Sequence, residues 1–331
     1  MSSSESPRHI LVTGGAGFIG SHLVERILND GDRVTVVDDL STGSWDNLAG
    51  CDDSRVSFIH QRVSTALDQL DPSSFDEIHH LAAAVGVRLV VEQPVHVIET
   101  NVHETLAILR FASSSRVPTL LASTSEVYGK SENVPFREDA DLVFGPTTEP
   151  RWSYACSKAI DEFLGLAWYR DHGLPVVIAR FFNTVGPRQR GKWGMVLPRF
   201  VKAALAGEPL QVYGTGSQTR CFCDVRDVVE VLPSIVRNES MAGTVINVGR
   251  DESISILSLA ELVIDVLASD SKIEFLSYEK AYGHEIEDMI HRRPDVSRLR
   301  SAFDFTPCHE LVQTISDIAT FMSDVDEGMS S

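Results

Sequence analysis

The chain has 331 residues, of which 43% are hydrophobic, and a formal net charge of -18. This length and apolar content predict a globular protein with one large domain or two modest ones and an ample core. The acidic balance argues against a nucleic acid partner, because a phosphate backbone would be repelled. It does not argue against a nucleotide, since one or two arginines and a helix end are enough to bind a diphosphate.

The sequence shows no feature of a membrane protein. It opens without a basic-then-apolar signal segment, and no apolar run approaches the ~20 residues needed to cross a bilayer. Its five cysteines are scattered without a paired framework or metal-ligand spacing. Cys221 and Cys223 alternate along a predicted strand, which favours packing over metal binding. We therefore expect a cytoplasmic protein with no membrane association and no metal site.

The first predicted element is a strand that runs into a glycine-rich turn and a helix, with the sequence HILVTGGAGFIG from His9 to Gly20. Gly14 allows the tight turn, Gly17 lets the backbone approach a pyrophosphate, and Gly20 lets the helix pack on the strand. The helix N-terminus presents free amide groups to the phosphates. A second predicted strand ends on Asp38, where a carboxylate can accept hydrogen bonds from an adenosine ribose. Together these features predict dinucleotide binding rather than a purely structural turn.

Strands and helices then alternate along the chain. Strands are predicted at 56–60, 77–84, 119–122 and 176–180, and helices at 94–112 and 153–172. This alternation predicts an α/β fold with a Rossmann-like, doubly wound parallel sheet covered on both faces. Beyond Asn183 the pattern loosens into shorter segments. We expect a dinucleotide-binding domain over residues 1–183 and a smaller C-terminal α/β substrate-binding domain over residues 184–331, with a strand near 244–249 that returns to the sheet.

Two side chains suited to acid–base chemistry lie four residues apart on one predicted helix. Tyr154 and Lys158 therefore face the same side of that helix. A tyrosine hydroxyl has an ordinary pKa near 10, and a neighbouring ammonium is expected to lower it. Such a phenol can take a proton from an alcohol while a hydride leaves the same carbon. The alternative is an ordinary surface pair at helical spacing.

Small hydroxyl residues and a carboxylate follow the predicted strand at 119–122. They are Ser123, Thr124, Ser125 and Glu126, and ligands bind at the carboxyl ends of strands in open α/β sheets. A hydroxyl there can share a substrate oxygen with Tyr154, and the carboxylate can manage a second proton. The alternative is a turn stabilised by its own hydroxyl groups.

Further motifs follow one another along nearly the whole chain: TGGAGFIG, VVDDLSTG, HHLAAAVGV, ETNVHET, STSEVYG, SYACSK, RFFNTVGPR, YGTGSQTRCFCDVRD and HRRPD. This series resembles the extended short-chain dehydrogenase/reductase family of nucleotide-sugar epimerases, dehydratases and decarboxylases. The resemblance implies a tightly held NAD, a UDP-sugar substrate and a homodimer formed through helices around 96–112 and 154–172. Asp38 suits NAD, because its charge would repel the extra phosphate of NADP. In one departure, Gln61-Arg62-Val63 replaces the family's Gly-Asp pair, which leaves the adenine contacts open.

The resemblance also implies further site residues. Besides the glycines, Asp38, Tyr154 and Lys158, those expected at the cofactor are Phe18, Ile19, Asp39, Leu81, Ala82, Ala83 and Asn101. Besides Glu126, those expected at the substrate are Val87, Asn183, Val196, Leu210, Tyr213, Arg220 and Arg292. The segment from Leu210 to Tyr213 is expected to border the uracil, and Asn183 and Arg220 to contact the sugar and the diphosphate.

Details of the motifs distinguish the branches of the family. Glu126 stands where simple 4-epimerases have a small residue, and Ser125 stands where 4,6-dehydratases have an aspartic acid. FGPTTEPRWSYACSK is similar to the approach to the catalytic tyrosine in UDP-glucuronate decarboxylases of bacteria and plants, whereas GVRLVVEQP looks closer to uronic-acid epimerases. Arg292 matches an arginine near the substrate carboxylate, although a diphosphate clamp or a charged turn would also explain it.

The resemblance therefore favours an NAD-dependent UDP-glucuronate decarboxylase that yields UDP-xylose or UDP-4-keto-xylose. Tyr154 would take the O4 proton while NAD accepts the C4 hydride, and Thr124 would steady that oxygen. Glu126 and Arg292 would orient the carboxylate and deliver a proton to C5, and Ser125 would help to hold the carboxylate. A UDP-glucose or UDP-glucuronate 4-epimerase and a non-catalytic NAD-binding module remain as alternatives.

Overall fold

A parallel sheet at the centre of the protein positions the functional residues. The structure is a computed structural model that describes residues 6–51, 54–189, 195–277, 279–280 and 289–328. The strands are β1 His9–Thr13, β2 Arg33–Asp38, β3 Val56–His60, β4 Glu77–His80, β5 Thr119–Thr124, β6 Val176–Phe181, β7 Thr184–Val185, β8 Leu210–Tyr213, β9 Thr219–Cys221, β10 Cys223–Asp224, β11 Thr244–Val248, β12 Ser253–Ser255, β13 Ile273–Leu276 and β14 His291–Arg292. Within the described ranges, seven of them form one all-parallel sheet in the order β11-β6-β5-β4-β1-β2-β3.

Helices cover both faces of this sheet. They are α1 Phe18–Asn29, α2 Val63–Leu67, α3 Val87–Glu92, α4 Pro94–Ser115, α5 Trp152–His172, α6 Val196–Leu205, α7 Val225–Arg237, α8 Ile256–Val266, α9 Ser297–Phe303 and α10 Leu311–Gly328. The predicted α/β fold with a Rossmann-like, doubly wound sheet is confirmed. The strand order reverses between β1 and β4, which is the kind of switch point where ligands bind in such sheets. Among the described residues, every helix is too short or too polar to span a bilayer.

Successive side chains of the central strands enter different cores, because strand side chains alternate between the two faces. On β1, Ile10 and Val12 pack in a core with residues of α1 and α7, whereas Leu11 packs in a core with residues of α4. On β5, Leu120 joins the first of these cores and Leu121 the second. Since both faces are buried, these strands read as continuous apolar runs in the sequence.

A smaller group of elements packs beside the sheet. β8 pairs with β13, and side chains from α6, α8 and α10 enclose an apolar core of their own. The predicted strand that carries Cys221 and Cys223 is two short strands with different partners: β9 pairs with β12 and β14, and β10 pairs with β7. β11 pairs in parallel with β6, so this late segment of the chain lies at the edge of the main sheet. The division into two domains at residue 183 stays a prediction.

A buried ion pair connects α5 to β6 beneath the carboxyl edge of the sheet. Arg180 donates from Nε to Oε1 of Glu162 at 2.9 Å and from Nη2 to Oε2 at 2.7 Å. Ser123 donates its hydroxyl to the same Oε1 at 2.5 Å, and the Arg180 guanidinium lies 4.7 Å from the centre of the Tyr128 ring. The pairing with Glu162 raises the pKa of Arg180 despite its burial. This network holds α5 against the strand end that carries Thr124.

Replacing Arg180 with Met should leave the Glu162 carboxylate buried without its cation. Breaking a buried pair in this way typically costs about 3–5 kcal/mol, so we expect a drop of that order in the free energy of unfolding, measured by urea denaturation. The matched control is Arg137→Met, which removes an exposed pair with Asp139 and should leave the unfolding midpoint unchanged. Equal effects of the two substitutions would show that the buried pair does not stabilise the fold.

Candidate active site

A cleft runs along the carboxyl edge of the sheet and brings together most of the residues expected to act there. The predicted site residues that line it are Gly14, Gly17, Phe18, Ile19, Gly20, Asp38, Asp39, Leu81, Ala82, Ala83, Thr124, Ser125, Glu126, Tyr154, Lys158, Asn183 and Arg292. The elements that contribute them are far apart in sequence, and the parallel sheet collects their ends at one edge. The direct roles of these residues toward a ligand stay predictions.

Asn101 does not line this cleft but supports it from below. Its Oδ1 accepts the N–H of Ala84 at 2.8 Å, and its Nδ2 donates to the Ser157 hydroxyl at 3.1 Å. The side chain is buried, so these bonds join the loop after β4 to helix α5. In the structure, Asn101 therefore positions the loop with Ala82 and Ala83.

Four other predicted substrate residues are not among the described residues that line the cleft. Leu210 is fully buried in the core formed with α6, α8 and α10, and the place of the segment from Leu210 to Tyr213 beside a uracil stays a prediction. Val196 packs against the same core. Tyr213 forms a hydrogen bond with Arg199, and Arg220 donates to the Thr219 carbonyl at 2.9 Å. The side chain of Val87 lies outside the described part of the structure.

The glycine turn after β1 leaves no room for larger residues. Gly14 has a φ of +71°, and an added Cβ would lie 2.7 Å from the Ala82 nitrogen. A Cβ on Gly20 would lie 2.1 Å from the Gly14 carbonyl oxygen, so this contact of helix and strand requires glycine. At Gly17 an added Cβ would meet only that carbonyl, at 3.1 Å. The turn is thus tight toward the protein and open toward the cleft, as a bound pyrophosphate requires.

Asp38 holds the glycine turn in place at the end of β2. Its Oδ2 accepts the N–H of Ala16 at 2.9 Å, and its Oδ1 accepts the N–H of Leu40 at 2.8 Å. Burial raises the pKa of this carboxyl group, although both amide bonds act in the opposite direction. Each carboxylate oxygen keeps accepting capacity for a ribose hydroxyl. The glycine turn after β1 and this carboxylate are suited to bind NAD.

Other cleft residues fit a dinucleotide and were not predicted. Arg188 donates to the Ser21 hydroxyl at 3.2 Å and pairs with Glu25 at 2.5 Å, which places a cation beside the first turn of α1. The buried Thr184 Oγ1 and Gln189 Oε1 have no hydrogen-bond partner among the described residues. Buried polar atoms normally have a partner, so these two atoms are suited to bind a ligand. Arg62 also lines the cleft, and the adenine contacts stay open.

Tyr154 is buried beside Glu126, and its environment differs from the prediction. Burial raises the pKa of Tyr154, and the negative charges of Glu126 and Asp161 act in the same direction. A hydrogen bond with Thr124 and the charge of Arg292 act in the opposite direction. The expected lowering of this pKa is therefore not found in the protein by itself. The largest cause is burial of the phenol, and the Lys158 ammonium donates to Asp161 at 2.7 Å.

Two buried guanidinium groups converge on Glu126. Nη2 of Arg292 lies 3.6 Å from Glu126 Oε1, and Nη2 of Arg151 lies 4.0 Å from the same oxygen. Arg292 was predicted at this place, whereas Arg151 was not. Its only sequence signal is its position three residues before Tyr154 in RWSYACSK. A guanidinium carries five N–H donors, so Arg292, which lines the cleft, has the capacity to bind a further carboxylate near Tyr154.

The chain matches the model of the NAD dependent epimerase/dehydratase family over residues 10–249 and belongs to that family. It is 40% identical to the UDP-N-acetyl-alpha-D-glucosaminuronate decarboxylase of Bacillus cytotoxicus, over 91% of this chain and 93% of that protein. It is 35% identical to UDP-glucuronic acid decarboxylase 1 of Danio rerio, over 97% of this chain and 74% of that protein. Among solved structures, a dTDP-glucose 4,6-dehydratase of Streptomyces venezuelae with NAD bound shares 28% identity and a TM-score of 0.85, over 97% of this chain and 98% of that one.

Replacing Gly20 with Ala should displace the glycine turn and weaken NAD binding. We expect the dissociation constant for NAD to rise by about tenfold or more, equivalent to ~1.4 kcal/mol, when measured by calorimetric titration. The matched control is Gly50→Ala, because an added Cβ at Gly50 meets no atom within 4 Å. If both variants fold and bind NAD like the unaltered protein, the turn is not the cofactor site.

Proposed function

We propose that this protein is an NAD-dependent decarboxylase of UDP-linked hexuronic acids, with UDP-glucuronate as its substrate. The observation that carries this proposal is that Arg292, Glu126 and Tyr154 line one cleft with the cofactor residues, and that Arg292 lies 3.6 Å from Glu126. A guanidinium at this place suits the C6 carboxylate of a uronate, and Arg151, which is not part of the cleft lining, adds a second positive charge at Glu126. The names of the two curated relatives support the same reaction class.

The first step proposed is oxidation of the sugar at C4. When bound, NAD would supply the hydride acceptor for C4 and return the hydride later, and its oxidised form would add a positive charge to the cleft. Tyr154 accepts the O4 proton, and its hydrogen bond with Thr124 fixes the phenol oxygen toward the substrate. Burial raises the pKa of Tyr154 in the protein alone, so an added positive charge would be needed to favour the phenolate that accepts this proton.

The second step proposed is loss of carbon dioxide. The C4 ketone is β to the C6 carboxylate, so the C5–C6 bond can break and its electron pair can pass to C5, C4 and O4. The resulting enolate oxygen is stabilised by hydrogen bonds from Tyr154 and Thr124. Arg292 orients the carboxylate before it leaves, and Glu126 takes up a proton from solvent and passes it to C5, directly or through a water molecule. Ser125 lines the same end of the cleft and helps to hold the carboxylate.

The name of one relative favours a second candidate substrate, UDP-N-acetylglucosaminuronate. The Bacillus cytotoxicus relative, at 40% identity, is named for UDP-N-acetylglucosaminuronate, which has an acetamido group at C2 in place of a hydroxyl. The chemistry at C4, C5 and C6 is the same for both sugars. The choice between them therefore depends on contacts at C2, and direct competition of the two nucleotides decides it.

The purified protein with NAD should release carbon dioxide from UDP-glucuronate and form a UDP-pentose or its 4-keto form. The reason is that oxidation at C4 makes the adjoining carboxylate a leaving group. The measurement combines carbon dioxide detection with mass spectrometry of the nucleotide, with UDP-N-acetylglucosaminuronate tested in parallel.

The control for this experiment is Tyr154→Phe, which keeps the ring but removes the proton acceptor. General acid–base groups contribute about 10²–10⁴-fold, so the rate should fall by that order. A product of unchanged mass with C4 inverted would reject the decarboxylase and support a 4-epimerase. No change in the sugar and no change in bound-cofactor fluorescence would support a non-catalytic NAD-binding module.

The proposal includes a homodimer formed through α4 and α5. These helices pack against each other, and apolar side chains on them remain exposed, including Ile98 on α4 and Ile160 and Phe163 on α5. Phe163 is 71% exposed. An apolar patch of this kind is typical of a protein–protein interface, and a second copy of the same two helices would bury it.

A cytoplasmic location also stays part of the proposal, supported by five free cysteines.

Replacing Phe163 with Glu should convert this dimer to a monomer, because the substitution places a charge in the apolar patch. Size-exclusion chromatography with light scattering would show the mass fall by half. The matched control is Val312→Glu, which introduces the same charge at a half-exposed apolar position of α10 and should leave the mass unchanged. A monomeric unaltered protein would contradict the interface.

A further inference from the structure

One turn of α5 carries a buried ion pair that the proposed reaction does not explain. The Lys158 ammonium donates to Oδ2 of Asp161 at 2.7 Å, and the two side chains are only 3% and 2% exposed. Charged groups interact strongly at this depth, because little water screens them. Lys158 lines the cofactor cleft, whereas Asp161 lies behind it in the helix.

The other titratable side chains near this ion pair have hydrogen-bond or ion-pair partners of their own. His80 at the end of β4 bonds Thr13 at 2.7 Å, and burial together with the charge of Lys158 lowers the pKa of His80 to about 3. His80 is therefore neutral near pH 7. On α5, Glu162 is already paired with Arg180. Asp161 is thus the anion that faces Lys158 among the described contacts, with a further hydrogen bond from Thr105 of α4.

We propose that Asp161 is a positioning residue that holds the Lys158 ammonium in place and offsets its charge at Tyr154. This inference rests on the proposed function, in which Tyr154 accepts a proton. An ammonium has three N–H donors, so one bond to Asp161 leaves two that can face the cleft. The same carboxylate places a negative charge close to the phenol and disfavours its ionised form.

The sign of the effect follows from the charges that face Tyr154. Glu126 and Asp161 disfavour the phenolate, whereas Arg292 and the bond with Thr124 favour it. Asp161→Asn keeps an oxygen that can accept from Lys158 but removes the negative charge. The Lys158 charge is then less offset, and Tyr154 should ionise at a lower pH. A charge within a few ångströms shifts a pKa by about one to three units, so we expect a fall of about one unit.

The experiment titrates Tyr154 in the NAD-bound protein without substrate. Tyrosinate is followed by ultraviolet difference absorbance, and the matching Tyr154→Phe variant is subtracted to isolate this one residue. The ionisation midpoint should fall by about one pH unit in Asp161→Asn, because the offsetting charge is gone. The acidic limb of kcat/KM should move in the same direction. Asp161→Glu retains the charge and should restore the original midpoint.

The matched control is Asp171→Asn, which removes an exposed carboxylate from the same helix and should leave the midpoint unchanged. Asp161→Ser is also neutral and should show the same fall, so it tests the charge if the Asn variant does not fold. A midpoint that stays unchanged or rises in the folded neutral variants would overturn the proposal. Because the titration needs no substrate, a protein that fails to decarboxylate uronates can still pass this test.

Discussion

Parallel strands end at the same edge of a sheet, and this constraint assembles the site. Thr13 at the end of β1 is in register with Val37 of β2 and with His80 of β4. The glycine turn, the carboxylate of Asp38 and the loop after β4 therefore lie side by side. β5 ends next to them at Thr124, against which α5 is held by the Ser123–Glu162 bond. The backbone of the sheet thus brings segments from distant parts of the sequence together at one cleft, and long side chains are not needed to span the distance.

The parts of the site that depend on local spacing were predictable from the sequence. The glycine turn and the Tyr154/Lys158 pair are each encoded within one turn or one helix, where spacing fixes which residues are neighbours. Arg151 and Asp161 were not predicted, because their importance depends on tertiary packing. Arg151 matters only once the start of α5 lies against the segment that carries Glu126.

The pKa of Tyr154 shows why electrostatics is harder to predict than position. The sequence identifies the cation one turn away but not the anion that pairs with it, nor the depth of burial. Desolvation and two carboxylates outweigh the nearby positive charges, so the phenol is held neutral in the protein alone.

The two amide bonds of Asp38 also limit how far the choice of coenzyme can be redesigned. A switch toward a phosphorylated dinucleotide would ordinarily begin by deleting this carboxylate to end its repulsion of the added phosphate. Here the deletion would also strip the main-chain N–H groups of Ala16 and Leu40 of their acceptor. A buried N–H group without an acceptor lowers the stability of the fold. A variant engineered to prefer the phosphorylated dinucleotide must therefore carry a neutral hydrogen-bond acceptor in place of this carboxylate at the end of β2.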